Sequence, residues 1–169
     1  MRIDISELLR EAGASLTRIL TMAAADLCQG AVEDAALSGT VQVALTVTNT
    51  GEGIEVEGRI GCAAALVCSR CLEAFPHWLD VRFYERYRPE GAVYQAQADE
   101  DEVFTYSGNS IDIGAAVREH LLLALPMKPL CQEACLGLCQ ECGADLKRGL
   151  CACAGRDPGA GEAVEGQEE

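Results

Sequence analysis

Aromatic residues are scarce in this sequence: one Trp, three Phe and four Tyr. A core built from it must come mainly from Leu, Val, Ile and Ala. Histidine is scarcer, with His77 and His120 alone, and no HExxH pattern, Gly-rich phosphate loop or nucleophile elbow occurs. No enzyme class has a recognisable signature, so the expectation is a non-enzymatic protein. No window approaches the ~20 apolar residues that cross a bilayer. No N-terminal stretch joins a basic region to an apolar run and a small-residue cleavage site. The expected compartment is the cytoplasm.

Positive charge is also short, with 13 Lys and Arg against 27 Asp and Glu and a net charge of −14. Such a surface repels phosphate backbones and anionic membranes and attracts basic partners. Direct nucleic-acid binding over a broad face is thereby disfavoured. Solubility alone accounts for acidity of this kind equally well.

At 169 residues the chain can bury one real core and carry a small appendage. The expected fold class is α+β: an antiparallel β-sheet of hairpins with one or two packed helices and a C-terminal zinc-bound cysteine-rich segment. The expected division is a core domain over 1–126 with a CxxC hairpin tip, a cysteine-rich segment over 127–153 docked on it, and a disordered acidic tail over 154–169.

Ile3 and Ile5 alternate with polar residues as in a short strand, and Ser6 is placed to cap a turn over Glu7–Arg10 that Gly13 ends. Leu16, Ile19, Leu20 and Ala23 recur at helical spacing, against the β-branched Thr17 and Thr21. From Thr40 to Thr48, and again from Ile54 to Val67, the period is two, and Gly51 and Gly53 supply the turn of a hairpin. Trp78–Tyr87 reads as a third strand, which sets Cys68-Ser69-Arg70-Cys71 at the tip of a second hairpin. The polar stretch 90–101 reads as a mobile connection, and Val103–Tyr106 as a short strand. Asp112 can cap a helix whose apolar face is Ile113, Ala116, Val117, His120, Leu121 and Ala124, stopped by Pro126 and Pro129. On that face His120 reads as a structural histidine.

Ten cysteines in a reducing compartment point to metal or redox chemistry rather than disulfides. Eight of them fall into close pairs: Cys68/Cys71, Cys131/Cys135, Cys139/Cys142 and Cys151/Cys153. Four thiolates about 2.3 Å from the metal form the closed tetrahedral shell of structural Zn²⁺, and one turn can supply two of them. Two zinc sites, each of four cysteines, are therefore expected. The local one joins Cys139, Cys142, Cys151 and Cys153, with Gly143 permitting the turn; the long-range one joins Cys68 and Cys71 to Cys131 and Cys135. Cys28 and Cys62, which lack paired neighbours, read as small buried hydrophobes. Arg70 is a candidate binding residue, either for phosphate or, more in keeping with its place, as a donor to the zinc thiolates. A redox dithiol would sit at a helix N-terminus after a strand, and nothing of that kind surrounds Cys68 or Cys139.

Three stretches together carry a resemblance: Cys68-Ser69-Arg70-Cys71-Leu72, the run Arg118 to Cys131 with its Leu-Ala-Leu-Pro helix end, and Cys135-Leu136-Gly137-Leu138-Cys139-Gln140-Glu141-Cys142-Gly143. From Val41 to Cys153 the chain resembles the YceD family, the large ribosomal RNA subunit accumulation proteins. The resemblance implies a non-enzymatic role in accumulation of the large-subunit (23S) ribosomal RNA. It also implies that zinc stabilises rather than performs the function, since some members lack the C-terminal cysteines. The expected partner is a basic ribosomal protein or a large-subunit assembly intermediate. A direct rRNA-binding zinc protein and a thiol/zinc redox sensor are the alternatives.

Overall fold

The computed structural model describes residues 1–27, 35–91, 103–149, 151 and 153. Cys28, most of the connection expected over 90–101 and the acidic tail lie outside the described residues. By contact the chain divides into two compact units. The first comprises 1–66 and 75–127; the second comprises the hairpin tip Val67–Ala74 and the chain from Lys128 onward.

The first unit holds a five-stranded sheet in the order β2-β3-β4-β5-β6, formed by β2 (Ser15–Ala23), β3 (Ala35–Asn49), β4 (Ile54–Val67), β5 (Ala74–Pro89) and β6 (Phe104–Tyr106). A separate antiparallel ribbon pairs β1 (Arg2–Asp4) with β7 (Ser110–Asp112). Two helices, α1 (Ala24–Leu27) and α2 (Gly114–Leu123), complete the unit. The alternation in β3 and β4 sorts the side chains as the period of two requires. Val41, Val43, Leu45 and Val47 are buried with Ile54, Val56, Ile60, Cys62, Ala64 and Leu66 in one cluster. Leu79, Phe83 and Tyr87 join from β5, and Val117 and Leu121 from α2. Each large apolar side chain among them contributes about 1.5–3 kcal/mol by leaving water.

Two expectations are corrected. The stretch with Leu16, Ile19, Leu20 and Ala23 is strand β2, not a helix. It pairs antiparallel with β3 along its whole length, from Ser15 opposite Thr48 to Ala23 opposite Thr40. Ladder pairing outweighs the chance helical spacing, and Thr17 and Thr21 suit a strand. Ser6 caps nothing: its hydroxyl donates to Asp4, and the following turn, Leu8–Arg10, has no side-chain cap. The expected antiparallel hairpins are present, β2 with β3 and β3 with β4, and the short β6 adds one parallel pairing, with Tyr87 of β5 opposite Phe104.

Asn49 shows how the first turn is fastened to the sheet. Its amide donates to the carbonyls of Leu8 (2.7 Å) and Glu11 (3.2 Å), and its own backbone pairs with Gly13 and Ala14. At the start of α2, Asp112 accepts from the Gly114 N–H at 2.9 Å. His120 on α2 meets Glu85 Oε1 at 2.6 Å, a polar contact that accounts for its place beside the core. Among the described residues no helix is long and apolar enough to cross a membrane.

Candidate metal centre

The second unit is poor in regular structure; its described elements are a single 3-10 turn, Leu146–Arg148, and an isolated bridge between Leu138 and Asp145. What organises it is sulphur. Cys68, Cys71, Cys131 and Cys135 place their four Sγ atoms within 4.8 Å of one another, and Cys139, Cys142, Cys151 and Cys153 do the same. All eight cysteines singled out from spacing thus meet as two groups of four. Either group could hold a metal ion.

Two turns of the same build supply the first half of each group. In Cys68-Ser69-Arg70-Cys71-Leu72 the Leu72 N–H donates to the Cys68 carbonyl at 2.9 Å, and Leu72 has φ 59°. In Cys139-Gln140-Glu141-Cys142-Gly143 the Gly143 N–H donates to the Cys139 carbonyl at 2.9 Å, with φ 71°. The left-handed step after the second cysteine turns the chain back so that both thiols face one point. Gly143 takes that conformation without a steric cost, whereas Leu72 is the one described non-glycine residue with positive φ.

The turns also aim backbone N–H groups at the first sulphur of each. Burial opposes ionisation of Cys68, but the N–H groups of Cys131, Cys71 and Arg70 outweigh it and bring this thiol down to about 6. The N–H groups of Cys142 and Glu141 bring Cys139 down to about 7. The sulphurs of Cys135 and Cys153 resist ionising beside them. Burial, then the neighbouring thiols, pushes Cys135 up to about 12; contact with Cys142, then burial, pushes Cys153 up to about 12. Such a set gives up its protons to a cation at its centre.

The spacing fits one. Cys68 and Cys135 sulphurs lie 3.8 Å apart, Cys71 and Cys131 also 3.8 Å, and Cys142 and Cys151 3.7 Å. A tetrahedron with metal–sulphur bonds of about 2.3 Å has edges of about 3.8 Å. A disulfide, at about 2.05 Å, is far shorter.

The two groups differ in shelter. In the first, Cys68, Cys71 and Cys135 are buried and Cys131 is half-buried; in the second, Cys142 is exposed and the others are half-buried. Arg70 donates from its guanidinium to the Cys135 carbonyl at 2.8 Å, and its own carbonyl accepts from the Leu138 N–H at 3.2 Å. Its side chain therefore braces the backbone of one cysteine, while its backbone N–H serves the sulphur of another, Cys68. Gly137, φ 77°, passes so close that a Cβ there would lie 3.0 Å from the Arg70 carbonyl oxygen. Glu73 and Lys147 play no part in the expectations drawn from the sequence, and Leu72 and Gly137 enter them only within the motifs that carry the resemblance. Lys147 Nζ lies 2.5 Å from Glu73 Oε2 and 3.5 Å from Cys131 Sγ. A cationic side chain inside a cysteine-bounded loop was the one signal that could have marked it.

Comparison with known proteins follows the same residues. The family model described as "Large ribosomal RNA subunit accumulation protein YceD" matches residues 56–161. An uncharacterized protein of Mycobacterium tuberculosis is 28% identical over 149 residues, covering 86% of this chain and 70% of the relative. An uncharacterized protein of Mycobacterium leprae is 26% identical over 106 residues, covering 63% of this chain and 49% of the relative. The "Large ribosomal RNA subunit accumulation protein YCED homolog 1, chloroplastic" of Arabidopsis thaliana is 25% identical over 139 residues, covering 67% and 43%. No solved structure matches the chain significantly. With the match running from the third residue of β4 through both cysteine groups, the chain belongs to the YceD family, whose name ties it to accumulation of the large ribosomal RNA subunit.

Proposed function

We propose that this protein supports accumulation of large-subunit ribosomal RNA by binding a basic ribosomal protein or a large-subunit assembly intermediate, with two structural Zn²⁺ ions holding its cysteine-rich unit. Family membership carries the ribosomal half of this reading. The partner rests on the net charge of −14, which attracts a basic chain and keeps it from non-specific contact with RNA until delivery. The metal half rests on the two four-sulphur groups and their tetrahedral spacing. Zn²⁺ is the ion that suits four thiolates in a closed shell. Its contribution is folding free energy, supplied to a unit with little apolar core of its own.

A second reading, direct contact with RNA, has one observation in its favour. Along the outward side of β5, Trp78, Arg82, Tyr84 and Arg86 alternate, and Trp78 and Tyr84 are exposed. Aromatic faces beside arginines suit unpaired bases. Acidic residues on the same side offset the charge: Asp80 engages Arg59, and Glu55 lies 3.8 Å from Arg86.

Co-purification at low salt, with and without nuclease, separates the two. The proposed function expects a basic protein partner that survives nuclease. RNA as the sole partner, retained after ribosomal proteins are stripped and lost steeply as salt rises, would replace it with the second reading. A third outcome, zinc released by mild peroxide with no partner captured, would favour a thiol sensor.

A further inference from the structure

We propose that Lys147 makes the first cysteine group dependent on the second: its ammonium, carried on the loop that the second group closes, covers the sulphur of Cys131, the one half-buried cysteine of the first. The inference rests on the metal reading given above and concerns how the two sites act on each other.

Lys147 lies in the excursion between Cys142 and Cys151, so both ends of its loop are tied to the second group. Several contacts fix its backbone. The Cys139 N–H donates to the Ala144 carbonyl at 2.8 Å, and the Leu146 N–H to the Gly137 carbonyl at 3.0 Å. The Asp145 carboxylate accepts from the Lys147 N–H at 2.9 Å. The side chain leaves that loop and comes to rest on the other group, 3.5 Å from Cys131 Sγ and beside the buried Cys71 as well, with Glu73 of the hairpin tip holding the ammonium from the far side. It is only 19% exposed there, unusual shelter for a lysine.

The choice of sulphur matters. Cys68, Cys71 and Cys135 are shielded by the protein itself, and Cys131 is the member that solvent can reach. Four thiolates around a divalent cation keep a net charge of −2, which leaves the sulphurs nucleophilic and open to electrophiles. A hydrogen bond from an ammonium draws density from the sulphur it touches and lowers its reactivity. Lys147 applies that protection where burial does not. Because its position depends on the loop between Cys142 and Cys151, loss of metal from the more exposed second group withdraws the protection from the first.

The test uses the zinc-loaded full chain, limiting N-ethylmaleimide, and the labelling rate at each cysteine read by mass spectrometry beside the bound-zinc count. In the unmodified protein Cys142 is labelled first and Cys131 slowly. Lys147→Met is expected to speed labelling of Cys131 about tenfold while leaving Cys142 unchanged. Lys147→Arg, which keeps a cationic donor, restores the slow rate. Cys142→Ser, with Lys147 intact, also speeds Cys131. Glu73→Gln separates the donor from a merely structural ion pair: the ammonium remains, and Cys131 stays slow. Equal Cys131 rates in Lys147→Met and the unmodified protein, both holding two zinc ions, would overturn the inference and leave the metal reading standing. So would a Glu73→Gln protein behaving like Lys147→Met. Should Lys147→Met shed the first zinc outright, recovery of that zinc in Lys147→Arg supports the inference and its failure overturns it. An unmodified chain that binds no zinc overturns both readings.

Discussion

Leu72 and Gly143 occupy the same left-handed backbone position, one residue past the second cysteine of each CxxC turn, with φ of 59° and 71°. In both turns the N–H at that position donates to the carbonyl of the first cysteine at 2.9 Å. The two residues differ in what the conformation costs them. For Leu72 it costs about 1 kcal/mol, and for Gly143 nothing.

Opposite results are therefore expected from exchanging the two residue types. Leu72→Gly removes a largely exposed side chain and relieves the strained φ, so chelator resistance of the first site should be unchanged or slightly raised. Gly143→Ala adds a Cβ with nothing within 4 Å, so the backbone conformation alone is penalised, by about 1 kcal/mol. Chelator titration with a chromogenic zinc indicator checks both; a loss in Leu72→Gly larger than in Gly143→Ala would contradict the shared turn.

Metal content is the plainest measurement. Two zinc ions per chain are expected in protein purified without added metal. Cys142→Ser should leave about one, still held by the buried group, and Cys68→Ser should leave about one in the local group. Cys62→Ser should change no metal count, because Cys62 lies in the core cluster of the first unit. A count of one in the unmodified chain would show which group is vacant once the two single variants are compared.

Gly137→Ala should be more damaging than Gly143→Ala. Besides its φ of 77°, the new Cβ would press to 3.0 Å on the Arg70 carbonyl, a backbone atom that cannot swing aside and that already accepts from Leu138. A loss of about 2 kcal/mol is expected, read as easier zinc release from the group containing Cys135, whose carbonyl Arg70 holds.

In the first unit, Tyr87→Phe is expected to be neutral or stabilising by up to about 1 kcal/mol. The ring stacks on Phe104 at 5.4 Å, but its buried hydroxyl finds no hydrogen-bond partner among the described residues. Thermal denaturation of the two proteins decides it; a clear loss in Tyr87→Phe would reveal a partner for the hydroxyl.

Most of what could be read from the sequence was local, the exception being the grouping of Cys68 and Cys71 with Cys131 and Cys135, which followed from counting cysteine pairs. The alternation through Val41–Val47 and Ile54–Leu66 defines the central strands, because each position's burial repeats every second residue. The cysteine pairs were legible for the same reason, one turn supplying two thiols. The edge strand β2 was not. Sheet edges are half-buried at best, and Leu16, Leu20 and Met22 reach the core while Ile19 is 75% exposed, so the apolar residues do not mark one face. Its identity comes from pairing with β3, whose first residue lies 12 positions after the last of β2. The parallel alignment of β6 with β5 is non-local in the same way. Lys147 reaches Cys131 across 16 residues of irregular chain, a contact with no periodic trace.

The first cysteine group also has a bearing on synthesis. Cys71 and Cys131 stand 60 residues apart, so a metal at this group could not be enclosed until the second pair has been translated. At 5–20 residues per second that interval is roughly 3–12 s. Cys68 and Cys71 would wait that long as open thiols at the end of a hairpin, and chains that stall before Cys135 would never be sealed. The ion would then distinguish chains translated past Cys135 from those that stop short of it.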